Sequence, residues 1–540
     1  MSRRSFTLVV SFSVLLILSL LLAACGGATP APAQEPTEAV EVPPTEAAPP
    51  TEAPPVQNVI TYVYPRTLNE LDPSLVLSSE NNVLFNVYGN LTLWDPDEGV
   101  VPYLAESWES NEDSSEWTFH LREGLKCHDG TDFTAEDVKF SYDRTIEKGA
   151  LAYVFTMVNE VVVVDPQTVT VKLKYPFRMD ANAANSWGTY MMCRGVADKP
   201  PEWFAAGNEI GVGPYRIESF EPGVRMVLTA FEDWWAGWKP EQYTTVVINM
   251  VEDPAVRVQM LRGGEADIAW GIPFDDFESI NAGGEVTAMA VPAFQQLTWH
   301  LNTRRAPLDD VRVRQAISYA FPYEDVQVGT FGGFGVIAKG GVPRLQWQPP
   351  VETKVYSYDL DKARELLDAA GVAEGTKIRL GVEVNMAEGI RAAQLWQAEL
   401  AKLGIDLVID QTTAAVRWDE VFNPETEFNI MIMHMMIGFD SPNEFLGSLF
   451  HDGWTWYPFS GYSSPEFNAL VEDALSLEAS DKDASDRAYQ QAEQLLFDNA
   501  VAVFALDAPQ DFAVRNNVEG FKVNPLYGYD VFFWELSRKP

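Results

Sequence analysis

The chain has 540 residues, 46% hydrophobic and 21% charged, which suits about three or four structural units with large cores. Acidic residues number 78 against 38 basic ones, a formal charge of −40, and a field of that sign excludes nucleic acid as a partner. Three cysteines in so long a chain exclude a disulfide-stapled scaffold.

The first element is an export signal. Arg3 and Arg4 precede an apolar run of 15 residues, Leu8 to Leu22, and Leu22-Ala23-Ala24-Cys25 then resembles a bacterial lipobox. That pattern implies a signal peptide over 1–24, cut before Cys25, with Cys25 as the lipidation site. A spanning helix needs about 20 apolar residues, and Gly26-Gly27 stop the run short. Ser2-Arg3-Arg4-Ser5-Phe6 also resembles a twin-arginine signal, so the general secretory and twin-arginine routes both stay open. Residues 28–57 hold nine Pro, five Glu and no Lys or Arg, with Pro-Thr-Glu-Ala recurring three times. Such a segment reads as an extended spacer, so 25–57 is expected to be a lipidated cysteine and a disordered linker.

Beyond the spacer, β-rich runs at Val59 to Tyr64, Trp117–Leu121, Val161–Val164, Thr168–Leu173 and Thr245–Met250 read as strands. Helices follow in the second half. One is capped by Asp309, with Val313, Ala316, Ile317 and Ala320 on its inner face. Asp359 opens another that stops at Gly371, and a third runs from about Glu388 to Leu403 and feeds the strand Ile405–Ile409. Ser464-Pro465 starts a fourth. Residues 376–410 thus read strand, helix, strand, a parallel crossover unit. The whole reads as α/β and multi-lobed, with a ligand cleft between lobes.

Searches for chemistry return little. None of His120, His128, His300, His434 and His451 is paired at helical zinc spacing, and no nucleophile elbow occurs. Gly329 to Gly341 is glycine-rich but lacks the lysine of a phosphate loop, and reads as a flexible loop. The run Phe428 to Ile437 carries four Met and a His, which suggests Cu(I) by composition alone. Strand alternation sets His434 with Ile430, Ile432 and Met436, apart from Met431, Met433 and Met435, so a buried parallel strand is the better reading. No catalytic residue, metal or cofactor is expected, and nothing argues for an enzyme.

A stronger signal lies in motifs. Leu104-Ala105-Glu106-Ser107-Trp108, Trp117-Thr118-Phe119, Leu121-Arg122-Glu123-Gly124, His128-Asp129-Gly130-Thr131 and Phe133-Thr134-Ala135-Glu136-Asp137-Val138 follow in order. Gly211-Val212-Gly213-Pro214-Tyr215, Gly264-Glu265-Ala266-Asp267 and Pro307-Leu308-Asp309-Asp310-Val311-Arg312 continue the series. Together they resemble the extracellular solute-binding protein family 5, the peptide- and nickel-binding components of ABC importers. Cys127 stands where an aromatic is usual in that pattern, and Val212 where Thr is common.

The resemblance implies a two-lobed periplasmic-binding-protein clamshell of the large peptide-binder type. Lobe I would span 58–300 with an inserted subdomain at about 96–205, lobe II 301–505, and 506–540 would return to lobe I. Crossings are expected near Gln296–Asn302 and Leu506–Ala513. The signature block reads as structural: Asp129-Gly130 as a turn and Thr134 as a helix cap. An aspartate on a loop after a strand meets the ligand's ammonium in peptide-binding members, and Asp440 matches it here. Trp454 and Trp456 are candidate flat walls, and Phe294, Trp299 and Asn302 sit at the first expected crossing. The resemblance thus implies a monomeric lipoprotein that captures a peptide or similar small solute and delivers it to an ABC permease and ATPase. An oligosaccharide or metal chelate as ligand, a sensor or chaperone role, and a secreted hydrolase are the alternatives. Cys127 and Cys193 share an oxidising compartment, which leaves a disulfide and two separate thiols both open.

Overall fold

The computed structural model describes residues 58–76, 81–149 and 151–539. The signal segment, Cys25 and the Pro/Glu spacer lie outside the described residues. Val59–Tyr64 alternates apolar residues and lies at the centre of a seven-stranded sheet, parallel to Thr245–Met250 on one side and Ile268–Trp270 on the other. Arg225–Ala230 and Tyr215–Glu221 extend one edge. At the other edge, Gln510–Arg515 inserts between Ile268–Trp270 and Val286–Val291. The last of this sheet's strands in chain order is thus an interior strand.

A second sheet has six strands, in the order Val336–Ile337, Ala502–Asp507, Gln295–Leu301, Ile430–Met436, Thr376–Glu383 and Ile405–Thr412. The expected crossover unit is present: Thr376–Glu383 and Ile405–Thr412 pair in parallel, joined by the helix Ala387–Ala401. The chain passes between the sheets at 292–294 and again at 508–509. Each crossing holds a proline, Pro292 and Pro509, which lacks the N–H needed to continue a ladder. The first crossing therefore precedes the expected Gln296–Asn302, which is strand already in the second sheet.

Ile430–Met436 is antiparallel to Gln295–Leu301 and parallel to Thr376–Glu383, not wholly parallel as expected. Its alternation holds: Met431, Met433 and Met435 enter one core and Ile430 and Ile432 another. Local signals were accurate where a side chain closes a helix end. Asp359 accepts from Lys362 N–H and Gly371 ends that helix in the left-handed region, while Ser464 accepts from Phe467 N–H ahead of Pro465. The helix Val311–Tyr319 is capped by Asp310 rather than Asp309; it is the Asp310 carboxylate that accepts from Arg312 N–H.

A separate antiparallel sheet of Ala105–Ser110, Glu116–Leu121, Thr168–Leu173 and Val158–Asp165 builds its own core with the helix Ala135–Lys148. The motif residues brace this region. Asp137 accepts from Thr134 N–H at 2.9 Å, and Asp129 accepts from Thr131 N–H beside Gly130 at φ +87°. His128 Nε2 lies 2.9 Å from Gly213 O, and a Cβ on Gly211 would stand 2.1 Å from Val87 O. Trp234, Trp235 and Trp238 pack on one another and on Trp534 and Tyr215 as part of the core.

Cys127 and Cys193 form a disulfide with Cα atoms 6.1 Å apart, closing a separation of 66 residues. Both cysteines are buried. Replacing both by alanine is expected to lower stability by about 2–4 kcal/mol, read from denaturant midpoints. Thiol titration of the unfolded, unreduced protein should find neither cysteine free.

Candidate functional site

The loop after Ile430–Met436 brings two lobes into contact. Gly438 O accepts from Ser186 N–H at 2.8 Å, Ser186 Oγ donates to Ile437 O at 3.3 Å, and the Phe439 and Phe177 rings meet edge-on at 5.6 Å. A Cβ on Gly438 would stand 2.4 Å from Asn185 Oδ1, so only glycine lets the two segments approach this closely.

Two residues on, Asp440 is half-buried at this seam, and its Oδ2 accepts from the Trp94 indole N–H at 3.0 Å. Trp94 comes from the other lobe, at the strand Thr92–Asp95, and its ring meets Phe294 edge-on at 5.1 Å. Burial pushes the Asp440 carboxyl above the usual carboxylate range, against the Trp94 hydrogen bond and the nearby Arg178 guanidinium, which lower it. Arg178 is paired with Asp180 at 2.9 Å. Behind Asp440, burial pushes both Glu444 and Glu478 up to about 7, and Glu478 accepts from Ser441 and Tyr489. The site is acid-rich and short of cations, the electrostatics a positively charged group would complete.

Of the residues expected from sequence, the structure joins Asp440 and Phe294 through Trp94. Trp299 lies elsewhere: it is wholly buried against Trp396 and Phe321 in the core of the second lobe. Asn302 is also buried, donating to Phe428 O at 3.3 Å and accepting from Arg304 N–H, the work of a turn. Trp456 packs with Trp418 and Tyr457, and Trp454, 43% exposed, lies flat on His451 at 3.9 Å. Trp94 and Arg178 were not anticipated. Trp94 lies 346 residues from Asp440, and no local pattern signals such a pairing.

A second group ties the crossings together. Trp270 Nε1 donates to Gln510 Oε1 at 3.0 Å, Gln510 Nε2 donates to Gln295 Oε1, and Gln295 Nε2 donates to Tyr529 OH at 3.2 Å. The Tyr529 and Trp270 rings, 4.8 Å apart, complete a ring of four side chains around both crossings.

A sequence model of the bacterial extracellular solute-binding proteins, family 5, matches residues 99–457. The chain belongs to that family. It is 28% identical over 469 residues to the probable D,D-dipeptide-binding periplasmic protein of Escherichia coli, covering 84% of this chain and 90% of that one. It is likewise 28% identical to the Escherichia coli dipeptide-binding protein, over 79% of this chain and 84% of the relative. Its fold matches the ABC transporter-associated periplasmic binding protein DppA from Helicobacter pylori in complex with a peptide, with TM-score 0.78 at 23% identity, over 89% of this chain and 98% of that one. The architecture is the two-lobed clamshell, and the protein is a solute-binding component of the ABC-importer class, extracytoplasmic by family. Among the described residues no helix is long and apolar enough to cross a membrane.

The titration of the buried groups predicts how stability follows pH. Asp507, Glu444, Glu478 and Asp511 have carboxyls pushed up to about 6, 7, 7 and 8, chiefly by burial. A carboxyl raised in the folded state holds its proton more tightly there, so the stability it lends is full at low pH and is lost as pH rises through 6 to 8. His300 and His434 act oppositely: burial pushes them down to about 3 and 4, so they cost stability once pH falls below about 6.5. The acids prevail at mildly acidic pH. Tm is expected to be several degrees higher at pH 6 than at pH 8.5. A Tm that is flat or rising from pH 6 to 8.5 contradicts this assignment.

Proposed function

We propose that this protein captures a short peptide, or a similar solute bearing an ammonium group, between its lobes and delivers it to an ABC permease and its ATPase. The observation that carries the reading is Asp440: a half-buried carboxylate at the seam, held by an indole N–H from the opposite lobe. Such a carboxylate pairs with an ammonium by a charge-assisted hydrogen bond, strengthened as the lobes shut water out. The peptide-binding names of two relatives support the same ligand class. Closure would act by hinge motion alone, with no bond made or broken.

The protein is further proposed to be a lipoprotein monomer, anchored by diacylglycerol on Cys25 and held off the membrane by the Pro/Glu spacer. Cys25→Ser is expected to release it from the membrane fraction or leave the precursor uncut; unchanged retention with normal cleavage removes the anchor. The test of the ligand class is native mass spectrometry of the purified protein. A co-purifying amine-bearing peptide is the expected species, and a neutral oligosaccharide or a metal chelate in its place overturns the reading.

A further inference from the structure

The glycine-rich run Gly329 to Gly341, expected from sequence to be a flexible loop, is ordered around one aromatic residue, Phe334. Phe334 N–H donates to Phe331 O at 2.9 Å, Gly333 N–H to Gln327 O at 3.1 Å, and Gln327 Nε2 to Gly335 O at 2.9 Å. Gly333 and Gly335, on either side of Phe334, have φ of +84° and +81°, the left-handed region that favours glycine. The turn they make sends the Phe334 ring out of the second lobe and onto the first. Its centroid lies 5.6 Å from Phe274, in a stacked pair, and 5.4 Å from Phe277, while Phe331 meets Phe274 at 5.8 Å. Phe274 packs against the cores of both lobes. Arg391 of the second lobe reaches the same stretch, 3.8 Å from Asp275, and donates to Gly329 O at 2.8 Å.

These rings are tied to opposite sides of the second crossing. Val336, two residues after Phe334, pairs with Asp507 just before the crossing, and Gly271 N–H, three residues ahead of Phe274, donates to Asp511 O just after it. A rotation about the crossings that parts Gly438 from Ser186 therefore also moves Phe334 against Phe274. We propose that Phe334, set on Phe274 and Phe277, is a second clasp that favours the shut lobes before any solute arrives. Ring pairs at these separations stabilise beyond the area they bury. Phe334 is also 40% exposed, so parting the pair opens no core. The clasp raises affinity for every solute alike, because only the shut fraction holds a solute with both lobes. Its role is independent of the Asp440 reading and of the solute's chemistry.

The test needs no ligand. Ser186 N–H is bonded across the seam to Gly438 O, so its hydrogen exchange in the solute-free protein reports opening of the lobes. The strands Ile268–Trp270 and Gln295–Leu301 report unfolding of the first and second lobes. In Phe334→Ala the segment carrying Ser186 is expected to exchange about ten-fold faster, read by mass spectrometry, with both strands as in wild type. Phe334→Tyr keeps the ring and should exchange as wild type throughout. Unchanged exchange at Ser186 in Phe334→Ala overturns the clasp. Slower exchange there makes the ring a strut that props the lobes apart, and equally overturns it. Acceleration of the strands along with Ser186 marks a plain loss of stability and overturns it too, as does a Phe334→Tyr variant that opens as fast as the alanine one.

Discussion

Asp440→Asn is expected to weaken an amine-bearing solute by about thirty-fold or more while leaving Tm within a degree or two. Truncating one partner of a desolvated charge-assisted pair costs about 2–5 kcal/mol, and the lower limit corresponds to that factor. Stability should hold because asparagine keeps an oxygen for the Trp94 indole N–H, and because burial already disfavours the Asp440 charge. Titration calorimetry with the co-purifying ligand decides the matter. An unchanged affinity would remove Asp440 from the site, whereas a matching fall in Tm would make it a structural acid.

The second large effect is expected from Gly438→Val. A Cβ there collides with Asn185 Oδ1, which is itself fixed by accepting from Trp187 N–H at 2.7 Å. The backbone of Gly438 is not left-handed, so the obstacle valine meets is the facing segment. The variant should therefore fold but fail to shut. Small-angle scattering should report an enlarged radius of gyration with ligand present, and affinity should drop by about a hundred-fold or more, since a ligand held by one lobe loses its contacts to the other. Wild-type affinity in this variant would show that the seam between Gly438 and Ser186 is not needed for binding.

What the sequence allowed follows the range of the interactions concerned. Caps at Thr134, Asp359 and Ser464 were readable because each acts within about one turn of its own residue. Asp440 was readable as a position, the loop after an apolar strand in a known pattern. Its partner was not, since Trp94 meets it only once two lobes have folded and closed. Trp299 misled for a different reason. All seven residues of Gln295–Leu301 are buried, so the strand lacks the polar alternation that tells one face from the other. The first crossing was placed too late because the apolar run continues through it; Pro292 was the punctuation mark that counted.

The position of Gln510–Arg515 within the first sheet bears on the order in which such a chain can fold as it is made. The segment from Gln295 to Asp507 supplies every strand of the second sheet and is contiguous, so that lobe can condense as soon as it emerges. The first lobe cannot. Its sheet stays split, with Val286–Val291 cut off from Ile268–Trp270, until residues made more than two hundred positions later slide between them. Pairings of such long sequence separation are slow, and the waiting edges are open to wrong partners. A nascent chain stalled or clipped before residue 510 would thus carry one finished lobe and one unzipped one. The completed first lobe is, in effect, a receipt that the whole polypeptide has been made.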